Sequence, residues 1–141
     1  MTPQQVAAVQ NSFAQVKPIA DTAATLFYER LFAVAPEYRR LFTGDMDRQG
    51  RMLMNMLATA VAGLSRLETI VPAVRELGRR HAGYGVAEKD YQVVGGALLW
   101  TLERGLGVSF TPDVKEAWTA AYGLLAGVMQ EGAREAAPAS A

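Results

Sequence analysis

The chain predicts an all-α fold of about seven helices. Apolar residues recur at spacings of three and four through most of it, no stretch alternates apolar with polar residues, and no Asn-Gly hairpin or 20 to 50 residue repeat interrupts the pattern. With 141 residues, half of them apolar, a single core can be buried without disulfides or a structural metal. One domain over 1–135 is expected, followed by a frayed, disordered tail over 136–141.

The elements follow in order. Thr2-Pro3-Gln4-Gln5 reads as an N-cap, a proline at the first helical position and the glutamine of a capping box, starting a helix that runs to about Val16. Pro18 opens a second helix with Ile19, Ala23, Phe27 and Leu31 on its inner face and Tyr28 beside them. A short helical turn from Pro36 to Leu41 leads through Phe42 to a Gly44-Asp45 corner. Next, Met46, Gly50, Leu53, Leu57, Val61 and Leu64 form an apolar stripe in which Gln49 is the one polar intruder. After a break at Ser65 to Glu68, Ile70, Val74, Leu77 and His81 align on one face, and the chain turns through Gly83 and Gly85. Glu88 to Leu106 carries Tyr91, Val94, Leu98 and Leu102 inward, and Thr111-Pro112 caps a last helix presenting Val114, Trp118, Ala121, Leu125 and Val128.

Composition narrows the chemistry. Cysteine is absent, which excludes disulfides, thiolate metal ligands, iron–sulfur clusters and covalent c-type haem attachment. Lys+Arg and Asp+Glu balance at 14 each, and basic residues cluster only in pairs such as Arg39-Arg40 and Arg79-Arg80, so neither nucleic acid nor an anionic membrane is an expected partner. No basic region precedes an apolar run at the N-terminus and no run of 18 apolar residues occurs, giving a cytoplasmic expectation.

A single histidine, His81, sits on an apolar helix face. Such a residue is compatible with a structural core histidine and with a metal ligand. One imidazole is too few for a typical zinc site but enough to hold haem iron with the opposite position open to a gas. Ile70, Val74 and Leu77 would give the porphyrin an apolar floor, and the Leu77 carbonyl one turn earlier is the local acceptor for the second ring nitrogen. The facing lid should be apolar with one or two hydrogen-bond donors. Tyr28 and Gln49 fit that need, although Tyr28 also reads as an ordinary amphipathic core tyrosine, Gln49 as a surface residue on the helix shoulder and Phe42 as a core aromatic. Met46, Met52, Met54 and Met56 read as gap-filling packing.

Together these segments resemble the bacterial single-domain globins related to the haemoglobin domain of flavohaemoglobins. Leu26-Phe27-Tyr28-Glu29-Arg30-Leu31-Phe32 is similar to that family's second helix with its distal tyrosine, and Pro36 with Leu41-Phe42 to the corner whose phenylalanine stacks on the haem. Leu77-Gly78-Arg79-Arg80-His81-Ala82-Gly83-Tyr84-Gly85-Val86, then Tyr91 to Gly95, then Trp118 to Tyr122, continue the likeness. The resemblance implies a globin fold around one non-covalent haem b. It makes His81 the proximal ligand, Tyr28 and Gln49 the distal hydrogen-bonding pair, and Leu53 the residue packed over the gas. Leu77, Val86 and Val94 become haem-lining residues, and Tyr91 a neighbour of the proximal imidazole. In the family that tyrosine pairs with a glutamate on the last helix. The matching position here is Ala133, with Glu131 and Glu135 two residues to either side and roughly 200° away around the helix.

The implied function is reversible O2 binding with high affinity and slow release. The alternative is an enzyme, a nitric oxide dioxygenase or a nitrite- or peroxide-consuming haem protein drawing electrons from a separate reductase. O2, NO and CO are the expected ligands, and a monomer or weak homodimer the expected state.

Overall fold

The computed structural model describes residues 1–136. Six α-helices are found among them: α1 (Pro3–Val16), α2 (Ala20–Val34), α3 (Met46–Ala62), α4 (Leu67–Gly83), α5 (Glu88–Leu106) and α6 (Pro112–Ala136). The seventh expected helix, Pro36–Leu41, is a 3-10 turn, as suits six residues that begin with a proline and end in a corner. Ala136 belongs to α6, and the rest of the expected tail, 137–141, lies outside the described residues.

Local signals placed the helix ends well. Thr2 Oγ1 accepts from Gln5 N at 3.1 Å while Thr2 N donates to Gln5 Oε1 at 3.0 Å, completing the capping box. Thr111 Oγ1 accepts from Val114 N at 3.3 Å at the head of α6. Two assignments need correction. Pro18 opens only a 3-10 turn, Lys17–Ile19, before α2 starts at Ala20, so Ile19 is exposed instead of lying on the inner face. The break between α3 and α4 is a 3-10 turn at Gly63–Arg66, slightly earlier than expected.

The core joins α1, α2, α5 and α6 through Val9, Phe13, Val16, Phe27, Leu31, Leu98, Leu102, Ala117 and Trp118, with Val61 and Leu64 from α3 and the turn after it. Burying each large side chain is worth roughly 1.5–3 kcal/mol. The one polar group of the central indole is satisfied: Trp118 Nε1 donates to Ser12 Oγ at 2.8 Å, and Ser12 Oγ donates to Ala8 O at 2.6 Å. Of the methionines, Met46 and Met54 pack against this core, whereas Met52 and Met56 are exposed, correcting their reading as filler.

Within Met46–Gly83 lies a window long and apolar enough to cross a membrane by composition. The 3-10 turn at Gly63–Arg66 divides it, and each half is amphipathic, with Arg48, Arg51, Arg79 and Arg80 on exposed positions. Helix α4 differs from the rest. Its extensive packing is against α6, Gly78 is its one buried residue, and Ile70, Val74, Leu77 and His81 remain half-buried along one side.

Candidate functional site

The first group of site residues forms where α2 crosses α3. A methyl placed on Gly50 would lie 3.0 Å from Ala24 Cβ, so the missing side chain lets the two helices approach closely. Tyr28, one turn beyond Ala24, thereby meets Gln49, the neighbour of Gly50. Gln49 Nε2 donates to Tyr28 Oη at 3.2 Å, which leaves the phenol's own proton free to be donated. Phe27 and Phe42 stand edge-on to the Tyr28 ring, at centroid distances of 5.0 and 5.3 Å, and Phe32 lies against it at 5.9 Å. Burial pushes the Tyr28 phenol up from its ordinary value, with the Gln49 bond opposing in part, so the group is a neutral donor at physiological pH. Leu53, one turn after Gln49, is half-buried and lines a void of about 20 Å³ with Phe27, Leu57, Leu98 and Trp118. That void was not legible from the sequence.

The second group forms at the end of α4. His81 Nδ1 lies 2.8 Å from Leu77 O. A carbonyl only accepts, so Nδ1 carries the proton and the Nε2 lone pair is available to a metal. The His81 carbonyl accepts from Tyr84 N at 3.0 Å and Val86 N at 3.1 Å, closing the helix end before the turn through Gly85, whose φ of +84° suits glycine. Leu77, Val86 and Val94 are half-buried apolar residues, as haem-lining positions would be.

Tyr91, in the first turn of α5, is buried, and its Oη has no hydrogen-bond partner among the described residues. Its carbonyl accepts from Tyr122 Oη at 2.5 Å. Neither glutamate near Ala133 turns toward it: Glu131 pairs with Arg75 at 3.1 Å, and Glu135 with Arg79 at 2.9 Å, both on exposed side chains of α4. Two further contacts join residues that no sequence motif pairs. Tyr84 stands edge-on to the His81 ring at 6.1 Å, and Tyr38 donates a short hydrogen bond to Asp90 Oδ1. Asp90 Oδ2 also accepts from Ala87 N at 2.7 Å, the N-terminal signature of α5, so the 3-10 turn Pro36–Leu41 is tied to the start of that helix.

Among the described residues no group of three His, Cys, Asp or Glu is placed to hold a metal ion, so a lone imidazole is the donor set. That set, an Nε2 lone pair at the end of a half-exposed apolar stripe, fits a metal already held in an apolar macrocycle. The family model for globins matches residues 25–129, and the chain belongs to the globin family. It is 33% identical over 109 residues to the flavohemoprotein of Bacillus subtilis, a match covering 75% of this chain and 27% of that protein. To the flavohemoprotein of Vibrio cholerae it is 29% identical over 138 residues, covering 94% and 35% respectively. The chain thus spans about a third or less of these relatives. In fold it is similar to a hexacoordinated heme protein from an anhydrobiotic tardigrade, with a TM-score of 0.85, 15% identity, and coverage of 95% and 96% of the two chains. The fold is a globin fold, and through membership of the globin family haem is its cofactor.

Proposed function

We propose that this globin binds O2 reversibly, with high affinity and slow release, His81 holding the haem iron and Tyr28 with Gln49 facing the gas. When bound, the haem supplies a ferrous iron that takes up a diatomic ligand. What carries the reading is the Tyr28–Gln49 pair. The amide donates to the phenol oxygen, so Tyr28 is oriented with its proton to give, and its buried setting keeps that proton on the oxygen. A hydrogen bond to a partly charged ligand is worth roughly 1.5–3 kcal/mol, which slows release by about 10-fold to 150-fold for each donor. On the other side, the Leu77 carbonyl fixes the His81 tautomer, and the half-buried Leu77, Val86 and Val94 supply apolar surface for the macrocycle.

A second reading, nitric oxide oxidation with electrons from a reductase, is favoured by the likeness to flavohemoproteins. The unpartnered Tyr91 hydroxyl and Ala133 weigh against a strongly electron-donating proximal side, and with it against peroxide chemistry. A visible absorption spectrum of the reduced protein, then with O2 and with CO, tests the main reading. A Soret band that shifts with each gas is expected; one that responds to neither would end it. NO consumption at many turnovers per haem with a generic reductase would move the assignment to the enzyme.

A further inference from the structure

Among the described residues, the contact between α4 and α6 is unlike any other. A methyl on Gly78 would sit 1.9 Å from Met129 O, and one on Gly132 would sit 2.0 Å from Arg75 O, so each helix presses a glycine against the other's backbone. Beside this crossing lie Arg75 with Glu131 at 3.1 Å, Arg75 with Glu135 at 3.6 Å and Arg79 with Glu135 at 2.9 Å. Since Gly78 is the sole buried residue of α4, its placement depends on this crossing more than on side chains in a core. Gly78 also directly follows Leu77, whose carbonyl holds the imidazole.

We infer that Gly78 and Gly132 are positioning residues for His81, setting where the imidazole stands, with the Arg75, Arg79, Glu131 and Glu135 clasp holding the two helices in register. This deepens the proposed function and rests on His81 being the iron ligand. At 100° per residue, Gly78, Arg75 and Arg79 lie roughly 60°, 120° and 160° around α4 from His81. The α6 contact therefore flanks the histidine face. Widening the crossing displaces the imidazole sideways and does not simply push it along its own axis. An alanine at either glycine must open the contact from about 2 Å to the 3.4 Å of ordinary van der Waals approach, and backbone on both sides leaves no flexible atom to yield.

The test uses the haem-loaded protein. Resonance Raman of the ferrous form reads the iron–histidine stretch, and transfer of haem to an excess of an apo-globin acceptor reads its dissociation. Gly78→Ala and Gly132→Ala are expected to shift the stretch and speed haem loss about tenfold. Val16→Ala, a remote core change that lowers Tm, is expected to leave the stretch where it was. An unmoved stretch in both glycine variants, or an equal shift in Val16→Ala, overturns the inference. Should the glycine variants fail to fold, Glu135→Gln breaks two exposed ion pairs without touching the core. It is expected to speed haem loss about twofold to fivefold and blunt its salt dependence, and no change in either would overturn the inference, since the α4–α6 register would then not set how the haem is held. His81→Ala, run alongside, separates the two levels. Loss of its iron–histidine band with parental glycine variants defeats only the positioning role, whereas an unchanged band in His81→Ala defeats the ligand assignment itself.

Discussion

The two halves of the site are built by different means. Around Tyr28 the chain uses side chains: a phenol bonded to an amide, three phenylalanine rings against it, and two helices whose remaining faces run into the main core. Around His81 it uses backbone: a carbonyl one turn away, two glycines pressed on facing main chain, and exposed ion pairs that contribute little individually. The Tyr28 side is therefore held by packing, and on the proposed reading changing it alters how a gas is held. The His81 side relies on a single crossing, so on the same reading changing it alters whether the haem is held.

The largest effect should come from the proximal half. His81→Ala removes the only imidazole in the chain, and haem is expected to be lost on gel filtration or to exchange at least tenfold faster into an acceptor. Retention at the parental rate would break the contrast at its root. On the distal side, Tyr28→Phe should leave the haem in place and raise the O2 dissociation rate about 10-fold to 150-fold in stopped-flow replacement by CO. An unchanged rate would mean that the phenol proton is given elsewhere.

The contrast also accounts for what could be read from the chain alone. Helix boundaries were legible wherever the signal is local, as in Thr2 with Gln5 or Thr111 with Val114, because a cap is formed by residues three apart. The His81 bond to Leu77 was legible for the same reason. Tyr28 and Gln49 are 21 positions apart; each could be nominated as a donor from its residue type, but no local spacing pairs them, and the family resemblance was needed to prefer that reading. Gly78 and Gly132 gave no signal, since a glycine that allows close approach looks like any other glycine in a helix. Ile19 and Met52 misled because periodicity says which side of a helix is apolar, while neighbours decide whether that side is covered.

A smaller effect tests the leftover polarity of the proximal half. The Tyr91 hydroxyl is buried with no partner among the described residues, a state that costs about 1–3 kcal/mol. Tyr91→Phe should then keep or raise stability, by about 1 kcal/mol in urea unfolding of the haem-loaded protein, where most buried-hydroxyl deletions lower it. A clear loss of stability would mean that Oη has a partner when haem is in place, and would bring the two halves closer in design.

The smallest effect concerns the tie between the halves, Tyr38 and Asp90. The phenol is pushed up to about 12 by burial and by hydrogen bonding to Asp90, while that bond, the Ala87 amide and Lys89 hold the carboxyl below its usual range against the desolvation that opposes them. A raised phenol stabilises the fold fully below its unfolded value near 10, and the benefit is lost as pH climbs through 12. A lowered carboxyl works in the opposite sense: its contribution is present above the unfolded value of about 3.9 and disappears as pH falls through the folded one. Both groups are partly in water, so solvent screening holds the total below about 1 kcal/mol. Asp90→Asn should therefore lower Tm by a few degrees at pH 7 and flatten its decline on both the acid side below pH 4 and the alkaline side above pH 10. If the variant instead tracks the parent across the whole range, the tie is a contact without energetic weight, and α5 is seated by its apolar face alone.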